Sequence, residues 1–334
     1  MIAKRLISLA VSVAVLAAGF LGSAVVNRAA AQDWPTRSVT MIVPFAAGGA
    51  LDALGRIIAS RLGEILGRKI IIENVAGAGG MTGASRAAKA PPDGYVFVLG
   101  NVATHAMNST LYKNALYNAA TDFAPVVLIA ETPQVLVARA ELPVSNLQEF
   151  MRYAKANQAK MQFASAGAGS ATHLACALLN TAIGINVTHI PYRGGAPAMQ
   201  DLIAGRTDYM CPNAPLAIPQ VQANQVKAIA ILSKNRSSIW PTLASAQEQG
   251  LDGFEYNNWN AFFLPRGAPP AIIQKLHDAT VAAMETPSVQ QRLKDIGAEV
   301  VLPERRSPEY LQKFVESEIE KWSVPIRAAR LTGE

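Results

Sequence analysis

Cysteine, histidine and charge are all scarce in this sequence of 334 residues. Two cysteines exclude a scaffold held by several disulfides and a four-cysteine zinc site. The four histidines are scattered, and no two of them have the spacing of a metal-ligand pair. Charged residues make up 16% of the chain and hydrophobic residues 50%, which excludes intrinsic disorder. The composition therefore predicts a folded protein with a large apolar core, and the length predicts about two domains.

Residues 1–31 have the pattern of a secretory signal peptide. A basic start with Lys4 and Arg5 precedes an almost wholly apolar run, and Ala29 and Ala31 fit a small-residue cleavage site. An uncleaved membrane anchor is the alternative, because about 20 apolar residues can cross a bilayer. Glycines and small residues within the run favour the signal peptide. We therefore predict export to the periplasm with cleavage near Ala31.

The net charge gives little support to a nucleic-acid partner. The formal charge is +6, and the predicted signal peptide carries three basic residues and no acidic one, which leaves +3. Basic residues do not cluster with aromatic ones, and no nucleic-acid-binding motif is present. After the signal peptide, no apolar run is long enough to cross a bilayer. We expect a soluble exported protein whose mild positive field attracts small anions.

Short apolar runs alternate with helical patterns along the mature chain. Residues 38–99 read as a βαβαβ unit, two short apolar strands follow at residues 126–130 and 135–138, and residues 146–232 read as a second α/β unit. Three helical patterns over residues 270–329 need a sheet to pack on, and the first unit is the natural one. The prediction is an α/β protein of two domains, each a mixed, mostly parallel sheet flanked by helices.

The domain boundaries follow from where the chain would cross between the two units. We place domain 1 at residues 32–131 plus 255–334 and domain 2 at residues 132–254. The two crossovers then fall near residues 131–133 and 252–257. This arrangement predicts a ligand cleft between the domains.

The first segment that could bind a ligand is the turn from Phe45 to Asp52, at the end of the first predicted strand. Ala46 and Ala47 precede Gly48 and Gly49, and a helix follows. Glycines let the backbone approach a ligand closely, and the free N–H groups of a helix start favour an anion. The alternative is a tight strand–helix turn in which Asp52 merely complements the helix dipole.

The second segment occupies the equivalent place in domain 2. Hydroxyls of Ser165, Ser170 and Thr172 alternate with Gly167 and Gly169 between a strand end and a helix start. Hydroxyls and loop amides can all donate hydrogen bonds to a carboxylate. The alternative is that Ser170 only caps the helix. Because both segments end strands of α/β units, we expect them to face the cleft and to suit a ligand with two acidic ends.

A third strand end carries Asn213 and Ala214. The Asn213 side chain either binds the ligand or caps the following helix, and the sequence does not decide between the two. Cys176 lies in the helix after the second segment, and Cys211 ends a strand of the same domain. In an oxidising compartment we hypothesise that these two cysteines are bonded, the alternative being two buried thiols.

Two rival motifs are incomplete. The Gly77–Gly80 stretch begins like a dinucleotide-binding fingerprint, but Thr82 occupies the sixth position and no acid follows at the distance expected for a ribose partner. A serine-hydrolase elbow around Ser165 has Phe163 where the first glycine belongs. His173 lies one helical turn from Ser170 with no obvious acid to orient it. We therefore predict neither an enzyme nor a cofactor.

With these residues in place, the sequence resembles the extracytoplasmic solute receptors of the tripartite tricarboxylate transporter family, also called Bug receptors. The resemblance runs from about Trp34 to Trp322. It rests on many short motifs in the same order, namely Trp34-Pro-x-Arg37, Val43-Pro-Phe-x-x-Gly-Gly-x-x-Asp52, Glu73-Asn74-x-x-Gly77-Ala-Gly79-Gly80, Pro92-Asp-Gly-Tyr95, Asp122-Phe-x-Pro125, Ser165-x-Gly-x-Gly-Ser170-x-x-His173-Leu and His189-x-Pro-Tyr-Arg-Gly194.

The resemblance implies a two-domain periplasmic binding protein of the type II-like Venus flytrap class. Such a receptor closes on a carboxylate, a di- or tricarboxylate or an aromatic acid, and delivers it to membrane permease subunits. It implies ligand contacts from the segments Phe45–Asp52 and Ser165–Thr172, no metal, and a monomer. The family usually has two prolines where this chain has Ala46 and Ala47. A receptor for a signalling sensor is the alternative function, and a periplasmic hydrolase is a third hypothesis.

Overall fold

The computed structural model describes residues 34–333, and the predicted signal peptide lies outside them. These described residues form eleven strands in two separate sheets. In chain order the strands are β1 (Val39–Val43), β2 (Ile70–Asn74), β3 (Val96–Asn101), β4 (Phe123–Glu131), β5 (Val135–Arg139), β6 (Gln162–Ser165), β7 (Thr188–Pro191), β8 (Tyr209–Met210), β9 (Val226–Ile231), β10 (Trp259–Pro265) and β11 (Glu299–Val300).

Ten α-helices accompany these strands within the described residues. They are α1 (Ala50–Leu66), α2 (Met81–Ala88), α3 (Asn108–Leu111), α4 (Leu147–Asn157), α5 (Ala171–Ile183), α6 (Gly195–Ile203), α7 (Ala214–Gln222), α8 (Pro270–Glu285), α9 (Pro287–Asp295) and α10 (Pro308–Ala328). A single π-helical turn, Ala103–Met107, leads from β3 into α3. No helix of this part of the chain combines the length and the apolarity needed to cross a membrane.

The first sheet has the strand order β11-β4-β10-β3-β1-β2, and the second has the order β7-β6-β8-β5-β9. We call the first sheet with α1–α3 and α8–α10 lobe 1, and the second sheet with α4–α7 lobe 2. The C-terminal helices α8 and α10 pack on β4, as the sequence predicts for the first unit. The chain passes to lobe 2 between β4 and β5 and returns between β9 and β10. The domain boundaries expected from the sequence fall within these two passages, and the boundaries remain predictions.

Both sheets are mixed, as expected, but parallel pairs do not predominate. The pairs β1–β2, β1–β3, β6–β7 and β6–β8 are parallel, whereas five other pairs are antiparallel. The difference arises at the crossovers, since β5 and β10 are the first strands after the chain changes lobe and each runs against both of its neighbours. A βαβ pattern predicts parallel pairing only for strands joined within one lobe.

Local sequence explains how α1 is held. Its apolar residues Leu51, Leu54, Ile58 and Leu62 recur at helical spacing and are buried against the sheet. The helix ends at Gly67, whose φ of 66° permits the left-handed conformation that caps the helix through Glu64 and Gly63 carbonyls. The packed C-terminal part of α1 fixes its N-terminus at the carboxyl end of β1.

Candidate ligand-binding site

A cavity of about 40 Å³ lies between the two lobes, at the ends of their strands. None of the lining side chains carries a charge. The lining consists of Phe45, Gly49, Ala50, Leu51, Asn101, Ala166, Ser170, Ala171, Thr172, Gly195, Asn213 and Leu216.

Four helix N-termini meet at this cavity. Gly49 precedes α1, Ser170 precedes α5, Asn213 precedes α7, and Gly195 is the first residue of α6. At α1, α6 and α7 no side chain caps the first turn. The first amides of a helix lack partners within the helix, and the helix dipole places partial positive charge there. An uncharged cavity is thus given an anion-binding character by backbone groups from both lobes.

Ser170 and Thr172 form a hydroxyl pair in the wall of the cavity. Their oxygens lie 3.0 Å apart, Ser170 Oγ accepts the N–H of His173 at 3.3 Å, and Thr172 Oγ1 accepts the N–H of Ala166 at 2.8 Å. The two hydroxyls have two protons, and their mutual hydrogen bond uses one. The other proton remains to donate into the cavity. Ser170 therefore caps α5 and also belongs to a donor pair, so the two interpretations of its role are compatible.

Asn101 supplies a donor that sequence reasoning missed. Its Oδ1 accepts hydrogen bonds from the N–H and the hydroxyl of Thr104, at 3.1 and 3.2 Å. This pairing fixes the orientation of the amide. The Nδ2 group makes no hydrogen bond to any residue in the range 34–333 and lies at the cavity wall. The sequence gives only a weak signal for this residue, since the third predicted strand ends at Leu99 and the observed β3 continues to Asn101.

The structure also separates the two roles considered for Asn213. Its side chain makes no capping hydrogen bond to α7, although its backbone is the N-cap residue. The N–H of Ala214 donates instead to Pro133 O at 2.8 Å. The Asn213 side chain lines the cavity and is partly exposed, which leaves it available to a ligand.

Asp52 does not line the cavity, and its carboxylate is fully engaged inside lobe 1. It accepts hydrogen bonds from Gly48 N–H at 3.0 Å, from Arg56 at 2.9 Å and from Asn74 at 3.0 Å. Burial raises the pKa of Asp52, but these hydrogen bonds outweigh burial and hold the pKa below 3.8. The ionised group accepts and cannot donate, so contact with an anionic ligand is the wrong role for it. Asp52 instead ties the first segment to α1 and β2.

Other predicted ligand residues of the first segment surround the cavity without lining it. Ala47 and Gly48 are exposed, and Ala46 is half-buried at the opening between the lobes. A side chain at Gly194 of lobe 2 would lie 2.8 Å from Ala46 Cβ, so the lobes approach each other closely there. Only Phe45 and Gly49 of the segment reach the cavity wall before α1 begins.

Several predicted ligand residues of the second segment, and Ala214, also lie near the cavity without lining it. Ser165 is buried and bonds within its own turn, its hydroxyl accepting the N–H of Gly167 at 3.1 Å. Gly167 and Gly169 have φ values of 118° and 77°, which only glycine adopts readily. Ala214 is buried one residue beyond the cavity-lining Asn213. These residues shape the segment, and of its predicted ligand residues only Ser170 and Thr172 line the cavity.

A disulfide joins Cys176 and Cys211, with 5.4 Å between their Cα atoms. Cys176 lies five residues into α5, and Cys211 follows β8 and precedes Asn213. The bond therefore connects two of the elements whose helix starts form the cavity. It closes a stretch with a sequence separation of 35, and this stretch contains β7 and α6.

Comparisons with known proteins identify the family to which this chain belongs. The family model described as "Tripartite tricarboxylate transporter family receptor" matches residues 54–331. The chain belongs to this receptor family.

Solved structures of similar sequence share the fold. The structure titled periplasmic binding protein BugD is 36% identical, with a TM-score of 0.86, and the match covers 90% of this chain and 99% of that one. MatC from Rhodopseudomonas palustris, solved with bound malate, is 38% identical at TM-score 0.85, with 88% and 100% covered. Another R. palustris protein, solved with adipate, is 35% identical at TM-score 0.85, with 90% and 99% covered. The expected periplasmic-binding-protein fold is confirmed.

For this member of the receptor family, the serine-hydrolase hypothesis finds no support at Ser170. The ring of His173 accepts the N–H of Gly169 through Nδ1 at 3.2 Å and stacks on His189. Burial lowers the pKa of His173 to about 3 and that of His189 to about 4. Ser165 Oγ lies 2.6 Å from His189 Nε2, but Ser165 is buried away from the cavity. No carboxylate bonds either ring within residues 34–333.

Six further lining residues were not singled out from the sequence, although four of them lie within the two predicted ligand segments. Each belongs to a helix start or faces one across the cleft, and small or apolar residues there give no chemical signal. Gly195 was detectable, because it follows a strand end in the motif His189–Gly194 and opens α6. The others are Ala50, Leu51, Ala166, Ala171 and Leu216.

Proposed function

We propose that this receptor captures a small dicarboxylate in the cavity between its lobes and releases it unchanged. The observation that carries the proposal is an uncharged cavity at which helix starts from both lobes converge. Amides and hydroxyls donate to carboxylate oxygens without any cationic side chain. Two similar receptors were solved with malate and with adipate, which are acids of this kind.

The expected hydrogen bonds are sufficient for micromolar affinity. Micromolar affinity requires about −8 kcal/mol. Each hydrogen bond to a charged group contributes about 1.5–3 kcal/mol, so a few bonds at each end of the acid reach that value after the cost of association. Closure removes water and strengthens each bond. The cargo shifts the balance of open and closed forms by its preference for the closed one.

The proposal extends to location and partner. The sequence pattern of residues 1–31 supports export and cleavage near Ala31, and family membership supports delivery of the cargo to membrane permease subunits of a tripartite transporter. We propose that the protein works there as a monomer and carries out no chemistry on its cargo. Uptake of labelled acid by vesicles containing such permease subunits should depend on added receptor. A sensor-linked receptor would bind the acid and leave uptake unchanged.

A calorimetric titration tests the binding step. Malate, succinate and adipate are compared after a thermal-shift screen, with hexanoate as the matched control for adipate, because it has the same carbon chain and one carboxylate fewer. We expect at least one dicarboxylate to bind with micromolar affinity, and hexanoate to bind at least tenfold more weakly than adipate if adipate binds. Acid recovered after incubation should be unchanged by NMR. The absence of binding by all dicarboxylates would refute the proposal, and altered acid would indicate catalysis.

A further inference from the structure

The glycine loop of lobe 1, Gly77–Gly80, lies directly against the second ligand segment of lobe 2. Its central residue Gly79 has a φ of 59°, and a Cβ built there would lie 2.7 Å from Ser170 N and closer still to the carbonyl oxygen of Ala168. Any side chain at Gly79 would therefore collide with the opposite lobe. The absence of a side chain allows the backbones of the two lobes to touch across the cleft.

Tyr112 makes a second contact with the same segment. It follows α3 in lobe 1, and its hydroxyl donates to the carbonyl oxygen of Ala168 at 2.9 Å. Its ring lies over Gly169, where a Cβ would be 2.6 Å from the tyrosine oxygen. Gly333 also lies against the ring, since a Cβ there would collide with Tyr112 Cε1, and its N–H donates to Leu111 O at 3.1 Å.

Neither Tyr112 nor Gly79 lines the cavity, so neither is placed to recognise the cargo. Both touch the segment immediately before Ser170, whose hydroxyl and helix start do face the cavity. Since the two lobes are joined by two chain crossovers, rotation about those crossovers would separate Tyr112 and Gly79 from lobe 2. We therefore expect these contacts to be lost when the receptor opens.

We infer that Tyr112 and Gly79 form an interlobe latch, which stabilises the closed receptor independently of which acid is bound. The latch sets the ratio of closed to open receptor before cargo arrives. Because apparent affinity scales with the closed fraction, the latch tunes affinity by the same factor for every cargo that binds this closed form. Burial raises the pKa of Tyr112, so its hydroxyl remains a donor at neutral pH.

The test measures closure without any cargo, so its outcome is separate from that of the carboxylate proposal. Cysteines are introduced at two facing positions by Gly48→Cys and Ala196→Cys. A Cβ at Gly48 lies 3.6 Å from Ala196 Cβ in the closed form, which is within the range of disulfides. Under slow oxidation the rate of cross-linking is proportional to the closed fraction. The native cysteines are already bonded to each other and do not compete.

Tyr112→Phe in this background removes one interlobe hydrogen bond and keeps the ring. We expect the open form to predominate without cargo, so cross-linking should slow about three- to tenfold, the factor by which one net hydrogen bond changes the closed-to-open ratio. Tyr209→Phe is the matched control, because its hydroxyl bonds Asn180 at 2.7 Å wholly within lobe 2. An unchanged rate in Tyr112→Phe, or an equal decrease in Tyr209→Phe, would overturn the latch.

Gly79→Ala tests the backbone contact separately. We expect it to slow cross-linking at least tenfold, because the added methyl group blocks the approach of the lobes. Gly67→Ala is its control, since Gly67 has a similar φ of 66° and no atom within 4 Å of the added carbon. Equal cross-linking rates in the two glycine variants would show that backbone strain alone is responsible and would contradict the latch.

Discussion

The hydroxyl pair of Ser170 and Thr172 offers the sharpest mutational test of the binding site. Ser170→Ala and Thr172→Val each remove one of the two hydroxyls and break their mutual hydrogen bond, and the double variant removes every hydroxyl donor of the pair. Loss of a hydrogen bond to a charged group costs about 1.5–3 kcal/mol. That cost corresponds to a dissociation constant that rises roughly tenfold to 150-fold. Calorimetry with the best dicarboxylate of the screen measures the change directly.

Ser170 also caps α5, so its replacement affects stability as well. Loss of an N-cap side chain costs about 1 kcal/mol of unfolding free energy. Ser307→Ala is the matched control, because Ser307 caps α10 through the N–H of Tyr310 at 3.1 Å in lobe 1. Both variants should lose similar stability in chemical denaturation, and only Ser170→Ala should lose affinity. Unchanged affinity in Ser170→Ala and Thr172→Val together would refute the reasoning.

Two further predictions concern stability. The disulfide between Cys176 and Cys211 should contribute about 4 kcal/mol to the unfolding free energy, the value that the chain-entropy model gives for a loop of this length. Reductant should lower the thermal midpoint of the natural protein but not that of the variant in which both cysteines are serine. Two alkylatable thiols in the oxidised protein would contradict this prediction. Burial lowers the pKa values of His105 and His173 to about 3 and of His189 to about 4, below the 6.5 of an exposed histidine. Each of these histidines therefore takes up a proton on unfolding when the pH is below 6.5. Each should lower the unfolding free energy of the protein by on the order of 1 kcal/mol per pH unit as the pH falls further. Denaturant midpoints that stay constant from pH 7 to 5 would show that these rings are not buried in the neutral form.

Local sequence patterns predicted the elements that carry the site. The apolar spacing from Ala50 to Leu66 and the glycine after it predict a helix, and the helix is observed with those bounds because both signals act locally. The apolar run at residues 38–45 predicts a strand, which is observed as Val39–Val43. The pattern of residues 254–264 also predicts a strand, but the observed strand begins only at Trp259. The preceding segment crosses between the lobes, where the N–H of Tyr256 donates to Leu232 O.

Features that depend on the meeting of distant segments were not predictable in the same way. Asn101 becomes a wall residue because β3 lies beside β1, and the sequence alone does not show how far β3 extends. The role of Asp52 depends on Asn74 from the neighbouring strand, which takes the carboxylate away from the cavity. The antiparallel pairing of β5 and β10 likewise depends on how the chain re-enters each lobe. Sequence patterns located the ligand segments, and tertiary contacts decided which atoms face the cavity.

A crystal structure of the receptor with its dicarboxylate would decide whether helix starts from both lobes bind the acid. We predict one carboxylate within about 2.7–3.2 Å of amides at the start of α1. The other carboxylate should lie equally close to the start of α5 and to the hydroxyl pair. An acid held instead by lysine or arginine side chains outside this cavity would contradict the account.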